Sequence, residues 1–284
     1  MKQSPPPLDA YQWPPSTDEL ARRVGLDPAQ MVRFDGNVPA MPPVTARPGT
    51  IARALADVNE YDRGRYLDLR RAIANYHGVG VDQVVLGAGS DELIVTCARL
   101  FALNGTVATV PGNSYSMYRF AAGMAGASVV EDPEQADLVF VCRPNNPTGE
   151  LPEIPTVTGQ LVIDEAYADY AGVSAMDSID DGIIILRTFS KAFGLAGARV
   201  GYAVTTPELA QALAARVPPL SVSALSAALA LAAITAPLDV TDQITERERL
   251  AEELTKCGLI PLQSWTNFLY IPMESPEKIG RAHD

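Results

Sequence analysis

The pattern of apolar and polar positions divides much of this chain into two kinds of segment. Short apolar runs rich in β-branched residues occupy residues 84–86, 107–110, 138–141, 161–163, 182–186 and 201–204. Such runs are typical of strands that are buried on both faces. Longer segments that suit helices lie between and after them, at residues 50–58, 67–76, 207–216, 224–234 and 240–257. Strands that alternate with helices predict an α/β fold.

The N-terminal part lacks this alternation. Ten of the 23 prolines lie before residue 49. Because proline fixes φ and removes a backbone donor, this part is predicted to be an irregular arm. It contains one short predicted helix, which has its N-cap at Ser16 or Thr17 and runs to Val24, with Gly25 ending it.

Composition limits the possible partners and compartments. The 284 residues are 47% hydrophobic and 20% charged, as expected of a globular protein, and the formal net charge is -12. An acidic chain is a poor match for nucleic acid, which needs a basic face. Neither a signal peptide nor a membrane-spanning run is apparent, so a cytoplasmic location without membrane attachment is expected. The three cysteines show no pairing pattern, and with only His77 and His283 a histidine-based metal site is not expected.

A single lysine follows the apolar run at 182–186. Lys191 stands in the stretch R-T-F-S-K-A-F-G-L-A-G-A-R, at the predicted exit of a strand, where α/β sheets form ligand sites. A lysine desolvated there has a lowered pKa and attacks carbonyl groups. Thr188, Ser190 and Arg199 would form an anion pocket around it. Taken alone, the stretch is also typical of a surface lysine in a polar turn, which is the commoner case.

Two further strand exits carry polar residues. Gly89, Ser90 and Asp91 lie between a strand and a helix, where glycine and the helix N-terminus favour an anion, although Asp91 also suits a plain capping role. Asp164 follows the run at 161–163, and a buried carboxylate there needs a cationic partner. The alternative for Asp164 is the N-cap of a turn.

These motifs together resemble one family. The segments G-A-G-S-D-E, R-P-N-N-P-T-G, D-E-A-Y and S-K-A-F-G arrive in the order found in fold-type I pyridoxal-phosphate aminotransferases, and most resemble the histidinol-phosphate aminotransferase branch. In that family the lysine matched by Lys191 carries the aldehyde of pyridoxal 5'-phosphate as a Schiff base. The residues matched by Thr188, Ser190 and Arg199 bind the cofactor phosphate.

The resemblance implies a role for each matched position. Lys191, Asp164 and Tyr167 are the expected catalytic residues, with Asp164 on the pyridine nitrogen and Tyr167 on the phenolic oxygen. Asn146 would share the phenolic oxygen, and Tyr115 would stack on the ring, whereas Tyr118 is interpreted as packing. The expected phosphate ligands are Gly89, Ser90, Asp91, Thr188, Ser190 and Arg199.

Two expected contacts lie outside the four motifs. In V-R-F-D-G-N-V-P only Asn37 and Pro39 match the family's N-terminal motif, so Asn37 is a candidate substrate contact or a plain turn asparagine. Tyr61 matches a tyrosine that reaches the cofactor phosphate of the neighbouring subunit in the family. The alternative is a tyrosine packed at a helix junction. The resemblance therefore implies a homodimer with shared active sites.

The resemblance also implies an architecture. A mostly parallel sheet with helices on both faces is expected, together with a smaller domain from both chain ends. The corresponding limits are 1–48 for the arm and part of the small domain, 49–235 for the large cofactor-binding domain, and 236–284 for an apparently incomplete C-terminal domain. The segment S-W-T-N-F-L-Y-I-P, residues 264–272, resembles the first strand of that domain.

The chain departs from the family after that segment. No residue matches the arginine that grips the substrate carboxylate, and Arg281 is not assigned to that role. The chain is therefore expected to bind the cofactor well and to process amino acids weakly. A substrate without a carboxylate would suffer less.

The expected activity is transfer of an amino group between L-histidinol phosphate, or a similar amino compound, and a 2-oxo acid. Such an enzyme would serve amino-acid biosynthesis. The alternatives are an aromatic amino acid aminotransferase, a phosphoamino-acid decarboxylase and a truncated, non-catalytic homologue that binds the cofactor.

Overall fold

A computed structural model describes residues 14–39, 48–56, 58–62, 64 and 66–273. The first thirteen residues of the predicted arm, its residues 40–47 and the end of the predicted C-terminal domain, including Arg281 and His283, lie outside these ranges. The division into three parts stays a prediction.

The described residues form a mixed sheet of seven strands. Its order is β1-β7-β6-β5-β4-β2-β3. Strand β7 runs antiparallel to both of its neighbours, and every other pairing is parallel. The predicted mostly parallel α/β sheet is confirmed. The strands are β1 Val84–Gly87, β2 Thr106–Val110, β3 Ser128–Val129, β4 Leu138–Cys142, β5 Gln160–Asp164, β6 Ile184–Thr188 and β7 Gly201–Val204.

Helices cover both faces of this sheet. Those of the described residues are α1 Thr17–Val24, α2 Pro48–Ala56, α3 Leu67–His77, α4 Ser90–Phe101, α5 Met117–Met124, α6 Ala168–Ala171, α7 Pro207–Ala214, α8 Ala224–Ile234 and α9 Thr241–Lys256. Helix α1 is confirmed with its caps, since Ser16 accepts from the Glu19 amide at 3.2 Å and Gly25 has φ of 72°. Helix α2 begins two residues earlier than predicted, because proline at a first helical position lacks only a donor that has no partner there. None of the helices described is long and apolar enough to cross a membrane.

Side chains alternate between two apolar layers. On β4, Val139 and Val141 pack with α3 and α8, whereas Leu138 and Phe140 pack with α4 and α5. Each such side chain, once buried, contributes about 1.5–3 kcal/mol of hydrophobic free energy. Because both faces are covered, polar residues at the strand ends are the groups that can face a ligand.

The predicted strand at residues 264–272 is wrong. That segment forms no strand in the structure, and its polar groups bond locally instead. The Ser264 hydroxyl donates to the Phe268 carbonyl at 2.6 Å, and the Trp265 amide donates to the Gly149 carbonyl at 2.7 Å. These bonds bend the segment around the turn that follows β4. The two-residue strand β3 was not predicted, because it is short and exposed.

Candidate active site

The carboxyl ends of β4, β5 and β6 meet at one cavity of about 130 Å³. Side chains from three separate strand exits reach it because parallel strands end at the same edge of the sheet. Gly36 and Val38 of the arm also line it. The residues predicted from the sequence that line it are Ser90, Asp91, Tyr115, Asn146, Asp164, Tyr167, Thr188, Ser190, Lys191 and Arg199.

One end of the cavity suits an anion. The N-terminus of α4 lies there with no side-chain cap, and Ser90, Thr188 and Ser190 are buried around it. Gly89 has φ of 79°, and a Cβ on it would lie 2.5 Å from Nη2 of Arg199. The guanidinium can approach this turn only because the position is glycine. Free amides, hydroxyls and one guanidinium form the donor set that a phosphate requires.

Asp91 lies at the same end but bonds to protein. Its Oδ2 is 2.8 Å from Nη2 of Arg199, and its Oδ1 accepts from the Tyr115 hydroxyl at 3.0 Å. A carboxylate would repel a phosphate rather than bind it. The arrangement therefore suits an Asp91 that orients Arg199 and Tyr115.

Asp164 also lines the cavity and is 2% exposed. It accepts from the Tyr118 hydroxyl at 2.9 Å and from the Ala166 amide at 3.0 Å. No salt bridge to it is found among the described residues. Burial raises the pKa of Asp164 to about 6, while the hydrogen bond from Tyr118 opposes that rise. A cation placed against this carboxylate would be strongly favoured.

Tyr118 has a role that the sequence did not reveal. It packs as predicted, stacked on Phe140 with ring centroids 4.8 Å apart, but it is also the side-chain donor to Asp164. Its partner is 46 residues away in the chain. The spacing of three residues between Tyr115 and Tyr118 does not reveal that contact.

Lys191 is half-buried beneath the arm. Its Nζ donates to the Gly36 carbonyl at 3.2 Å and lies 5.5 Å from the centroid of the Tyr167 ring. Burial lowers the pKa of Lys191, and nearby Asp91 partly opposes this. A larger neutral fraction makes the amine a better nucleophile and base.

Tyr167 joins the arm and the C-terminal segment to the site. Burial raises the pKa of its phenol, which accepts from Nδ2 of Asn37 at 3.4 Å. Its ring packs edge-on against Phe268, with centroids 5.3 Å apart. The amide of Asn267, which the sequence did not single out, donates to the Asn37 carbonyl at 3.0 Å. Asn37 thus reaches the site through Tyr167.

Tyr61 does not line this cavity. It is 78% exposed and lies outside the set of residues that line the cavity. Among the described residues, no group of three His, Cys, Asp or Glu side chains is arranged to hold a metal ion.

The family model for aminotransferase class I and II matches residues 31–282 of this sequence. The chain belongs to the class I and II aminotransferases. Its recognition from the sequence as a pyridoxal-phosphate-dependent aminotransferase of fold type I is confirmed.

Two relatives of this aminotransferase are named for two different activities. It is 35% identical over 280 residues to a histidinol-phosphate aminotransferase of Methanothermobacter thermautotrophicus, covering 89% of this chain and 75% of the relative. It is 31% identical over 276 residues to an aromatic amino acid aminotransferase of Cutibacterium acnes, covering 84% and 78%.

A solved structure is similar over nearly the whole aminotransferase chain. The histidinol-phosphate aminotransferase of Sinorhizobium meliloti in complex with pyridoxal-5'-phosphate superposes with a TM-score of 0.77 at 27% identity. The match covers 95% of this chain and 83% of that one.

Proposed function

We propose that this aminotransferase binds pyridoxal 5'-phosphate through Lys191 and moves an amino group between L-histidinol phosphate, or a closely similar amine, and a 2-oxo acid. The observation that carries the cofactor site is the buried carboxylate of Asp164. It has no salt bridge among the described residues and lies in the same cavity as a phosphate-type donor set and a lysine of lowered pKa. A protonated pyridine nitrogen is the cation that this position fits.

The residues divide between the two ends of the cofactor. The N-terminus of α4, Thr188, Ser190 and Arg199 would hold the phosphate, and Gly89 leaves room for Arg199. At the ring end, Asp164 would hold the nitrogen, with Tyr115 against the ring face. Asn146 and Tyr167 would contact the phenolic oxygen. When bound, the cofactor supplies an aldehyde and an electron-withdrawing ring.

The chain's own groups then manage protons and water. Burial lowers the pKa of Lys191, so its amine would serve as the base that takes a proton from the substrate carbon and returns it. Asp164 would be ionised opposite the ring nitrogen, because an ion pair there would offset the cost of burying the carboxylate. Gly36 and Val38 lie over the cavity and exclude water from the reacting carbon.

The substrate assignment rests on relatives. Names of several similar proteins specify histidinol phosphate, including that of Thermococcus kodakarensis at 34% identity over 76% of this chain. The similar aromatic amino acid aminotransferase keeps aromatic amino acids as the second candidate. An amine with an aromatic or imidazole side chain is common to both.

We also propose a cytoplasmic homodimer that serves amino-acid biosynthesis, with residues 49–235 as the large domain and both chain ends as the small one. The exposed Tyr61 supports a shared site. It does not line the cavity of its own chain, so the phosphate that its phenol is expected to contact would lie in a second copy.

The experiment follows the bound cofactor by absorbance in a single half-reaction. The purified protein is loaded with pyridoxal phosphate and mixed separately with L-histidinol phosphate and L-phenylalanine, without a 2-oxo acid. Both substrates are expected to convert the bound cofactor to its amine form. The ratio of the rate constant to the substrate dissociation constant is expected to be larger for L-histidinol phosphate. A faster reaction with L-phenylalanine would reassign the substrate, and no conversion with any amine would contradict amino transfer.

A further inference from the structure

A buried guanidinium lies behind the active site and does not line it. Arg187 is 5% exposed and follows the last paired residue of β6 on the β5 side. Its Nη1 donates to Oε2 of Glu165 at 3.0 Å, and its Nη2 donates to Oδ1 of Asp169 at 2.6 Å. All three side chains are buried, so these ion pairs are only weakly screened by solvent.

The cluster lies just beyond the last paired residues of β5 and β6, where both strands lead into the site. The register of β5 and β6 ends at Asp164 opposite Leu186, and the Glu165 amide makes one last bond to the Leu186 carbonyl at 2.9 Å. At the next register position, Glu165 and Arg187 are joined by their side chains instead of by backbone hydrogen bonds.

Each residue of the cluster lies within two positions of a site residue in the sequence. Glu165 follows Asp164, and Arg187 precedes Thr188. Asp169 lies in α6, whose N-cap is Tyr167. Two of the proposed ring contacts, Asp164 and Tyr167, therefore come from the exit of β5, and Thr188, Ser190 and Lys191 come from the exit of β6, with Arg187 bonded between the two exits.

We propose that Arg187 is a positioning residue for amino transfer: its guanidinium joins the segments that carry Asp164, Tyr167 and Thr188, and so sets the distance between the two ends of the cofactor site. This rests on the proposed placement of pyridoxal phosphate. The cofactor is a rigid ligand held at both ends, so a shift of about 1 Å between these segments costs on the order of 10²-fold in rate.

The charge balance of the cluster decides which variants are informative. One guanidinium meets two carboxylates, so removal of Arg187 would leave two buried negative charges unpaired and endanger folding. Removal of Asp169 leaves Arg187 still paired with Glu165. Burial raises the pKa of Asp169, and the charge of Arg187 opposes that rise.

The central test compares Asp169→Ala with Asp169→Asn. Both remove the charge, but only the asparagine carbonyl can still accept from Nη2 of Arg187. Each protein is loaded with pyridoxal phosphate, and two quantities are measured per bound cofactor: its visible circular dichroism, which reports its orientation, and the single-turnover rate of α-proton removal from L-histidinol phosphate. The alanine variant is expected to have an altered dichroism and a rate roughly tenfold below that of the asparagine variant.

Two more variants separate positioning from stability. Arg187→Lys keeps one buried cation without the planar fork, and its loaded sites are expected to lose roughly 10²-fold in rate. Ser174→Ala removes the 2.6 Å hydrogen bond from Ser174 to Oε2 of Glu165 but leaves both ion pairs of Arg187 in place. It is expected to lower the unfolding midpoint of the apoprotein but leave the dichroism and rate per loaded site within about twofold.

Equal dichroism and equal rates per loaded site in Asp169→Ala and Asp169→Asn would overturn the proposal, whether or not Arg187→Lys folds. Failure of the cofactor placement itself is distinguishable. In that case the wild-type protein would show no visible band from a cofactor attached to Lys191.

Discussion

Burial changes the protonation of the two central residues in opposite directions. It raises the pKa of Asp164 to about 6 and lowers the pKa of Lys191. Both shifts favour the neutral form, as expected when a charge leaves water. A bound cofactor cation would favour the charged form of Asp164. Without the cofactor, the buried carboxylate has no cation to offset the cost of its burial, and cofactor binding would offset it.

Asp164→Asn is expected to stabilise the apoprotein above pH 6. The folded wild type binds a proton more tightly than the unfolded chain, because the pKa of Asp164 rises from 3.8 to about 6 on folding. Wild-type stability therefore falls as pH rises from about 4 to 6, by on the order of 3 kcal/mol, and asparagine escapes this loss. Denaturant unfolding of both apoproteins at pH 4 and pH 8 measures the difference.

The two proteins should differ far more at pH 8 than at pH 4. A difference that is the same at both pH values would show that Asp164 does not titrate in this range. The same variant should bind pyridoxal phosphate more weakly, since its ring nitrogen loses an ionic partner.

Sequence reasoning located site residues that follow strand ends and missed those that approach from elsewhere. Asp164, Asn146 and Lys191 stand where apolar runs stop, so their position at one sheet edge followed from the pattern. Tyr118 and Asn267 reach Asp164 and Asn37 from elements 46 and 230 residues away. Only tertiary packing determines such pairs.

Among the elements, the turn from β1 into α4 places the phosphate end of the site. Gly89 has φ of 79° and ψ of 170°, a conformation that is nearly restricted to glycine, and it faces the guanidinium of Arg199. Strand β7 also approaches closely, because a Cβ on Gly201 would lie 2.4 Å from the Ser90 amide. Two glycines thus bring Arg199 and the helix N-terminus together.

Gly89→Ala is expected to weaken cofactor binding at least about tenfold, because the new methyl group displaces Arg199 and the backbone is strained. Gly78→Ala is the matched control. Gly78 also has positive φ, at 70°, but a Cβ there meets nothing within 4 Å. Titration of the apoproteins with pyridoxal phosphate gives the two dissociation constants. Equal weakening in both variants would mean that the contact of the new methyl group with Arg199 is not the cause.

Apolar runs predicted elements well where burial dominates and poorly where local polar bonds compete. The core strands β4, β5 and β6 lie within one or two residues of the predicted ranges because only a buried strand suits such runs. Residues 268–271 are as apolar as these runs, yet the hydroxyls of Ser264 and Thr266 bond to the Phe268 carbonyl and bend the chain. Side-chain competition of this kind is not visible in hydrophobicity.

Across the whole molecule, both ends of the described chain meet over the site. Asn37 of the arm lies between Tyr167 and Asn267, so the arm and the C-terminal segment are fixed to each other as well as to the cavity. Tyr61 is exposed and does not line the cavity. These positions support a site completed by a second copy of the chain.

Mixing Lys191→Ala protein with Tyr61→Phe protein tests the shared site. If Tyr61 serves the partner, a mixed dimer has one site with both defects and one intact site. An equal mixture after subunit exchange should regain about a quarter of the wild-type sites. The mixture of Lys191→Ala with Asp164→Ala is the control, because neither of its mixed sites is intact. Equal activity in the two mixtures would place Tyr61 outside the neighbouring site.

The most direct measurement of the central claim is the position of the covalent cofactor. The sequence has four lysines, Lys2, Lys191, Lys256 and Lys278, so peptide mapping can distinguish them. The protein is loaded with pyridoxal phosphate, reduced with borohydride and digested, with Lys191→Ala treated in parallel. The cofactor mass is expected on the peptide containing Lys191 and should be absent from the variant. A stoichiometric label on another lysine, or no label at all, would contradict the central claim.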